Sequence, residues 1–190
     1  MERIIRTLAA SLLVVVLILP TAVMAGQFFP DSTVEIQLPG GHAEYLGLDD
    51  DAASFRFSDV KAEFILVNVF SLYCSPCQRD AADFNEMYDK IAEMGLDGHI
   101  KFIGLAAGNT VREMEYWRKK FNVQFPLIPD EDYVLHETLG NVGTPFFALA
   151  RVDGPDKLTI IYAREGAFED KDAFFATILA QTGMDVAVNK

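Results

Sequence analysis

A buried strand that runs directly into two closely spaced cysteines and then a helix is the feature that most constrains this fold. The run from Phe64 to Phe70 is almost entirely apolar, β-branched or aromatic, which is typical of a strand buried on both faces. Cys74-Ser75-Pro76-Cys77 follows it. From about Cys77 to Met94, apolar residues recur at spacings of three and four, which predicts a helix with one buried stripe. Cys74 is therefore expected at the N-terminus of that helix.

These two cysteines are the only ones in the chain, which favours redox chemistry over a structural role. A disulfide-stapled scaffold uses several cysteines far apart, and a structural zinc site needs two more ligands near by. The free N–H groups and positive dipole at a helix N-terminus lower the pKa of a thiol, so we expect Cys74 to be the attacking sulfur and Cys77 the resolving one. A small static disulfide is the alternative.

Residues 1–25 have the pattern of an export signal. Arg3 and Arg6 precede an apolar core from Leu8 to Leu19, and Val23-Met24-Ala25 provides a small-residue cleavage site. The alternative is a retained N-terminal membrane anchor, because residues 7–29 carry no charge and are long enough to tether the chain in a bilayer. Either interpretation places the rest of the chain in the periplasm or another extracytoplasmic space, where a reduced cysteine pair needs an electron source.

The composition of the remaining chain predicts one domain, residues 26–190, because it contains no repeat, low-complexity tract or long linker. The formal net charge of the whole chain is −12, which argues against nucleic acid as a partner. Short apolar alternations at residues 34–38 and 55–57, separated by turn-forming residues, predict an N-terminal β-hairpin.

After this hairpin, strands and helices alternate before a final pair of strands and a helix. Strands are predicted at residues 64–70, 100–106, 127–129, 146–152 and 158–164, and helices at 77–94, 111–121, 133–139 and 170–181. Thr110 and Glu113 have the spacing of a capping box, and Asp153-Gly154 is the predicted turn between the last two strands. The fold class is therefore α/β, with a central mixed sheet flanked by helices.

Three motifs carry a resemblance to a known family. They are the strand and cysteine segment at residues 66–77, the sequence Gly143-Thr144-Pro145 directly before a strand, and the acidic residue Asp80 three positions after Cys77. Together they resemble the thioredoxin superfamily, and more narrowly its exported TlpA-like and ResA-like thiol-disulfide oxidoreductases. The resemblance covers about residues 55–182 and implies a thioredoxin-like fold with an N-terminal β-hairpin extension.

The resemblance also implies how substrate would be bound. Thr144 would offer its backbone to an extended substrate segment, beside a cis peptide bond at Pro145. Pro76 would hold the shape of the cysteine loop at the start of the helix. Tyr73 stands where the family commonly has Trp and would provide an aromatic edge over the thiolate, and Gln78 stands where Lys or Arg is common.

Two further positions bear on proton transfer and on docking. Asp80 is interpreted either as a partly buried base that takes the Cys77 proton or as a solvated acid in the first turns of the helix. Asn68 replaces the buried Asp of cytoplasmic thioredoxins and cannot titrate, so a relay through that position is absent. A small exposed patch around Tyr73 and Phe146 is the expected docking surface for a partner.

The leading interpretation is an exported enzyme that reduces protein disulfides and receives electrons from a membrane donor, without a cofactor or a metal. The reverse direction would oxidise substrates. A copper or haem-thiol assembly chaperone using the same cysteines is an alternative, with His136 as the one candidate third ligand. A thiol peroxidase is another, although the Thr expected before a peroxidatic cysteine is missing.

Overall fold

The computed structural model describes residues 26–36 and 38–184, so the predicted signal or anchor at residues 1–25 lies outside the described residues. The strands are β1 (Thr33–Glu35), β2 (Ser54–Arg56), β3 (Phe64–Phe70), β4 (Ile100–Ala107), β5 (Leu127–Asp130), β6 (Phe146–Gly154) and β7 (Lys157–Glu165). The helices are α1 (His42–Leu46), α2 (Ser75–Glu93), α3 (Val111–Phe121), α4 (Val134–Thr138) and α5 (Lys171–Thr182). None of these helices has the length and hydropathy needed to cross a membrane.

The central sheet has the strand order β5-β4-β3-β6-β7. β3, β4 and β5 are parallel, and α2 and α3 provide the crossovers between them. β6 runs antiparallel to β3, and β7 runs antiparallel to β6. The predicted mixed sheet flanked by helices is therefore confirmed.

The turn between the last two strands differs from the prediction. Gly154 pairs with Lys157, so Pro155 and Asp156 form the turn rather than Asp153 and Gly154. Pro155 has no N–H to give to a strand ladder, and Asp156 has a φ of 59°, which suits a tight turn. Both strands are consequently longer than predicted.

The two faces of β3 explain why its sequence is apolar throughout. Leu66 and Phe70 face a layer formed by α2, α3 and α5, with large buried side chains such as Phe84, Trp117 and Phe174. Ile65, Val67 and Val69 face the other side and pack against the N-terminal extension and α4. Both faces of the central strand are thus removed from water.

The N-terminal extension supplies most of that second layer. β1 and β2 pair antiparallel, as the predicted hairpin required, but their connection contains α1, which the sequence did not reveal. Phe29 is 3% exposed and its ring packs edge-on against Phe57 at a centroid distance of 5.0 Å.

Residues 26–29 belong to the folded domain rather than to a membrane tether. Gly26 N donates to Ile160 O at 2.8 Å, and Phe29 N donates to Leu158 O at 3.0 Å, so this segment pairs with the outer edge of β7. The expectation that residues 7–29 form one tether is therefore wrong at its C-terminal end, because Phe29 lies in the core. Any anchor must end before Gly26.

Candidate active site

The two cysteines lie at the start of α2, as predicted. Cys74 is the N-cap residue, and its Sγ accepts a hydrogen bond from the backbone N–H of Cys77 at 3.1 Å. Pro76 lies in the first turn of α2, where a missing N–H leaves no hydrogen bond unmade. Cys74 and Cys77 are joined by a disulfide bond.

The two sulfurs differ in accessibility. Cys74 is 9% exposed, whereas Cys77, in the first turn of α2, is completely buried. A disulfide in a partner protein can therefore reach Cys74 but not Cys77.

The segment before β6 forms the opposite wall of the site. The peptide bond between Thr144 and Pro145 is cis, as the resemblance implied. Thr144 O lies 3.3 Å from Cys74 Sγ, which brings this segment directly against the accessible sulfur. A partner segment that binds alongside Thr144 would thus lie next to Cys74.

Three hydrogen bonds hold this wall in place. Glu165 accepts one from Gly143 N at 2.8 Å, and Gly166 N donates to Pro145 O at 2.8 Å. His136 Nε2 lies 2.7 Å from Val142 O, so this ring nitrogen carries the proton. From the sequence, Glu165 was a candidate for proton transfer only if the fold brought it near the cysteines, and the structure places it against Gly143.

Tyr73 and Glu113 connect the cysteine loop to α3. The Tyr73 hydroxyl donates to the Glu113 carboxylate, although the Tyr73 side chain remains exposed. Glu113 also closes the predicted capping box, because it accepts from Thr110 N at 2.9 Å while its own N–H donates to Thr110 Oγ1 at 3.2 Å. The bond to Tyr73 lowers the pKa of Glu113 and raises the pKa of Tyr73.

Asp80 lies one turn beyond Cys77 and is 5% exposed. Its carboxylate pairs with Arg79, with 2.7 Å between Nε and Oδ1, and the Arg79 side chain is largely in solvent. The geometry agrees with the buried position that a role as a base requires. The carboxylate is buried and ion-paired, and its role in proton transfer stays a prediction.

Two expectations about neighbouring side chains have different outcomes. Phe146 is 2% exposed because the first residue of β6 packs into the layer under the N-terminal extension, so the predicted patch of Tyr73 and Phe146 is wrong. Asn68 is completely buried in β3, as its position required, and neither atom of its amide has a hydrogen-bond partner among the described residues.

No metal site accompanies the cysteines in residues 26–36 and 38–184, where no three His, Cys, Asp or Glu side chains converge. His136, the candidate third ligand for copper, has one ring nitrogen bound to Val142 O. The other, Nδ1, is buried without a partner.

Fold and site together define a thiol-disulfide oxidoreductase of the thioredoxin fold. The chain belongs to the AhpC/TSA family, whose model matches residues 25–169. Among curated relatives, thiol-disulfide oxidoreductase ResA of Bacillus thuringiensis subsp. konkukian is 26% identical over 130 residues, which cover 68% of this chain and 71% of the relative. ResA of Geobacillus kaustophilus is 23% identical over 121 residues, covering 63% and 67%.

Solved structures share the fold. The thioredoxin domain of a thiol-disulfide oxidoreductase from Bacteroides vulgatus has a TM-score of 0.59 and 17% identity, and the match covers 82% of this chain and 96% of that one. A secreted disulfide oxidoreductase of Mycobacterium tuberculosis has a TM-score of 0.54 and 19% identity, with coverage of 68% and 90%.

Proposed function

We propose that this protein is exported and reduces disulfide bonds in other proteins through the Cys74–Cys77 pair. The observation that carries the proposal is the difference in exposure between the two sulfurs, 9% for Cys74 and 0% for Cys77. An accessible sulfur paired with a buried one has the arrangement needed for attack followed by internal resolution.

In the first step, the Cys74 thiolate attacks one sulfur of the substrate disulfide. The substrate S–S bond breaks, a mixed disulfide forms at Cys74, and the second substrate sulfur leaves as a thiolate that takes up a proton. The start of α2 favours the thiolate because Cys77 N donates to Cys74 Sγ.

In the second step, Cys77 loses its proton and attacks Cys74 Sγ. The mixed disulfide breaks as the Cys74–Cys77 disulfide forms, and the remaining substrate sulfur leaves as a thiolate that takes up a proton. Two electrons have then passed from the protein dithiol to the substrate disulfide. Asp80 takes the Cys77 proton, a role for which its burial one turn further along α2 is suited.

Substrate recognition uses both walls of the site. Thr144 provides backbone groups for an extended partner segment beside Pro145, and Pro76 fixes the cysteine loop. Tyr73 offers an exposed aromatic surface, and its hydroxyl is tied to Glu113. The proposed docking surface for a partner is centred on Tyr73 and does not include the buried Phe146.

Export follows from the signal-like pattern of residues 1–25, and a donor at the membrane would regenerate the dithiol there. The secreted Mycobacterium tuberculosis protein with the same fold supports this location. Whether residues 1–25 are removed or retained as an anchor does not change the chemistry.

The test is a trapping experiment with the mature chain. Cys77→Ser should accumulate mixed disulfides with a disulfide-containing protein substrate, because Cys74 can attack but nothing resolves the product. Cys74→Ser is the matched control and should trap nothing, since its remaining thiol is buried.

Three results would contradict the proposal. The first is trapping by Cys74→Ser but not by Cys77→Ser. The second is stoichiometric copper binding by the reduced protein without substrate reduction, which would indicate the assembly-chaperone alternative. The third is rapid peroxide consumption by Cys74 without disulfide exchange, which would indicate the thiol peroxidase.

A further inference from the structure

The residue Leu72, two positions before Cys74, has both of its backbone polar groups held by side chains from different parts of the fold. Its N–H donates to Asn109 Oδ1 at 2.7 Å, and its carbonyl accepts from Gln78 Nε2 at 2.7 Å. Asn109 follows β4, whereas Gln78 lies on α2. The loop that carries the attacking cysteine is therefore fastened on two sides.

Each of these two side chains makes further bonds that fix it in place. Asn109 is completely buried, and its Nδ2 donates to Gly108 O at 3.1 Å and to Ser71 Oγ at 3.3 Å. Gln78 Oε1 accepts from Lys120 Nζ at 3.0 Å. An amide at position 78 can donate to Leu72 and accept from Lys120 at once, whereas Lys or Arg can only donate.

Backbone hydrogen bonds connect Cys74 to the residues before it and to α2. Cys74 N donates to Ser71 O at 3.1 Å, and Gln78 N donates to Cys74 O at 3.0 Å. A displacement of Ser71 or Leu72 would therefore move Cys74 relative to the start of α2. Such a movement would weaken the hydrogen bond from Cys77 N to Cys74 Sγ, which favours the thiolate.

We propose that Asn109 and Gln78 are positioning residues that hold Leu72 and thereby keep Cys74 Sγ in the geometry that favours its thiolate. This inference rests on the proposed function only in taking Cys74 as the attacking sulfur. The two hydrogen bonds to Leu72 matter most in the reduced protein, because in the oxidised protein the disulfide itself fixes Cys74 to α2.

The test is the pH profile of Cys74 alkylation by iodoacetamide in the reduced mature protein, where the buried Cys77 does not compete. Asn109→Ala and Gln78→Met should each move the profile to higher pH. The alkylation rate at neutral pH should fall by about threefold to tenfold, because only the thiolate reacts. Since both side chains act on Leu72, the double variant should shift the profile by less than the sum of the two single shifts.

Asn85→Ala is the matched control. Asn85 Nδ2 also ties α2 to α3, through Phe121 O at 2.9 Å, but it does not touch the cysteine loop. The Asn85→Ala substitution should lower the melting temperature and leave the pH profile of Cys74 alkylation unchanged.

The proposal is overturned if Asn109→Ala and Gln78→Met behave like Asn85→Ala, losing stability with an unchanged profile. If Asn109→Ala does not fold, Gln78→Met tests the proposal by itself, because Gln78 is only half-buried and its substitution is less disruptive. Alkylation requires no protein substrate, so this outcome is independent of the trapping experiment, whose failure would count against the proposed function alone.

Discussion

At the scale of single residues, Asp80 differs from the other acidic side chains of α2 because it alone among them is buried. A buried carboxylate costs free energy unless it is paired, and Arg79 provides that pairing from the solvent side. Because Asp80 lies one turn from Cys77 on α2, its proposed role as the acceptor of the Cys77 proton can be tested by substitution.

Asp80→Asn is expected to slow resolution of the mixed disulfide by about a hundredfold, because the Cys77 proton loses its acceptor. The measurement is the rate at which a preformed mixed disulfide at Cys74 decays in the presence of a free Cys77. Asp83→Asn is the matched control, since Asp83 is an acidic residue on the same helix that pairs with Lys171 on the surface. Equal decay rates in the two variants would remove Asp80 from the mechanism.

At the scale of secondary-structure elements, the start of α3 combines a helix cap with a contact to the cysteine loop. Glu113 accepts from the backbone and hydroxyl of Thr110 and from the hydroxyl of Tyr73. All three bonds favour the carboxylate, so the pKa of Glu113 in the folded protein lies below its ordinary value of 4.5.

A group with a lowered folded pKa stabilises the fold fully above its unfolded pKa and loses that effect as pH falls through the folded pKa. We therefore expect the free energy of unfolding of Glu113→Gln to be lower than that of the parent above pH 4.5, and the gap to narrow in more acidic solution. Urea denaturation across this range measures this gap. Glu115→Gln, which removes an acidic residue that pairs with Arg118 on the same helix at 3.1 Å, is compared as a second charge-removing substitution. A gap of constant size at all pH values would contradict this account of the cap.

The sequence predicted most of the strands and helices, and it predicted that the two cysteines lie at the start of α2. It did not reveal the side chains that hold the cysteine loop in place. The apolar run of β3, the capping box of α3 and the Thr144-Pro145 loop were visible because each is a local pattern. Asn109 and Gln78 were not, because their contacts with Leu72 depend on how loops meet in space.

Glu165 owes its position to a strand irregularity that the sequence did not reveal. The predicted strands at residues 146–152 and 158–164 put Val152 opposite Leu158, as in the structure. An irregularity between Leu149 and Ala150 then shifts the pairing by one residue, so Glu165 rather than Arg164 lies opposite Phe146. The Glu165 carboxylate thereby reaches Gly143, next to the cis-proline loop.

At the scale of the whole molecule, the N-terminal extension forms part of the hydrophobic core rather than lying on the surface of a complete domain. Without it, the face of the sheet that contains Ile65, Val67 and Val69 would be covered only by α4 and its adjoining loop. Phe29 and Phe28 provide a matched pair for measuring this contribution, since the first is 3% and the second 71% exposed.

Phe29→Ala is expected to lower the free energy of unfolding by ~3–5 kcal/mol, the usual cost of removing a buried phenylalanine side chain. Phe28→Ala should change it by no more than about 0.5 kcal/mol, as is usual for an exposed site. Urea denaturation of a chain that begins at Gly26 measures both changes in the free energy of unfolding. Equal effects of the two substitutions would show that the extension does not contribute to the core.

The pairing of residues 26–29 with Leu158 to Ile160 also sets an order of events during biosynthesis. The first segment of the domain to be made binds a strand edge near its far end, so it has no partner until β7 has been synthesised and has emerged. Contacts between residues so distant in sequence form slowly, because the long intervening chain must first be brought together. In the proposed export of the unfolded chain, this protein would therefore reach the export machinery with its second core layer still unassembled.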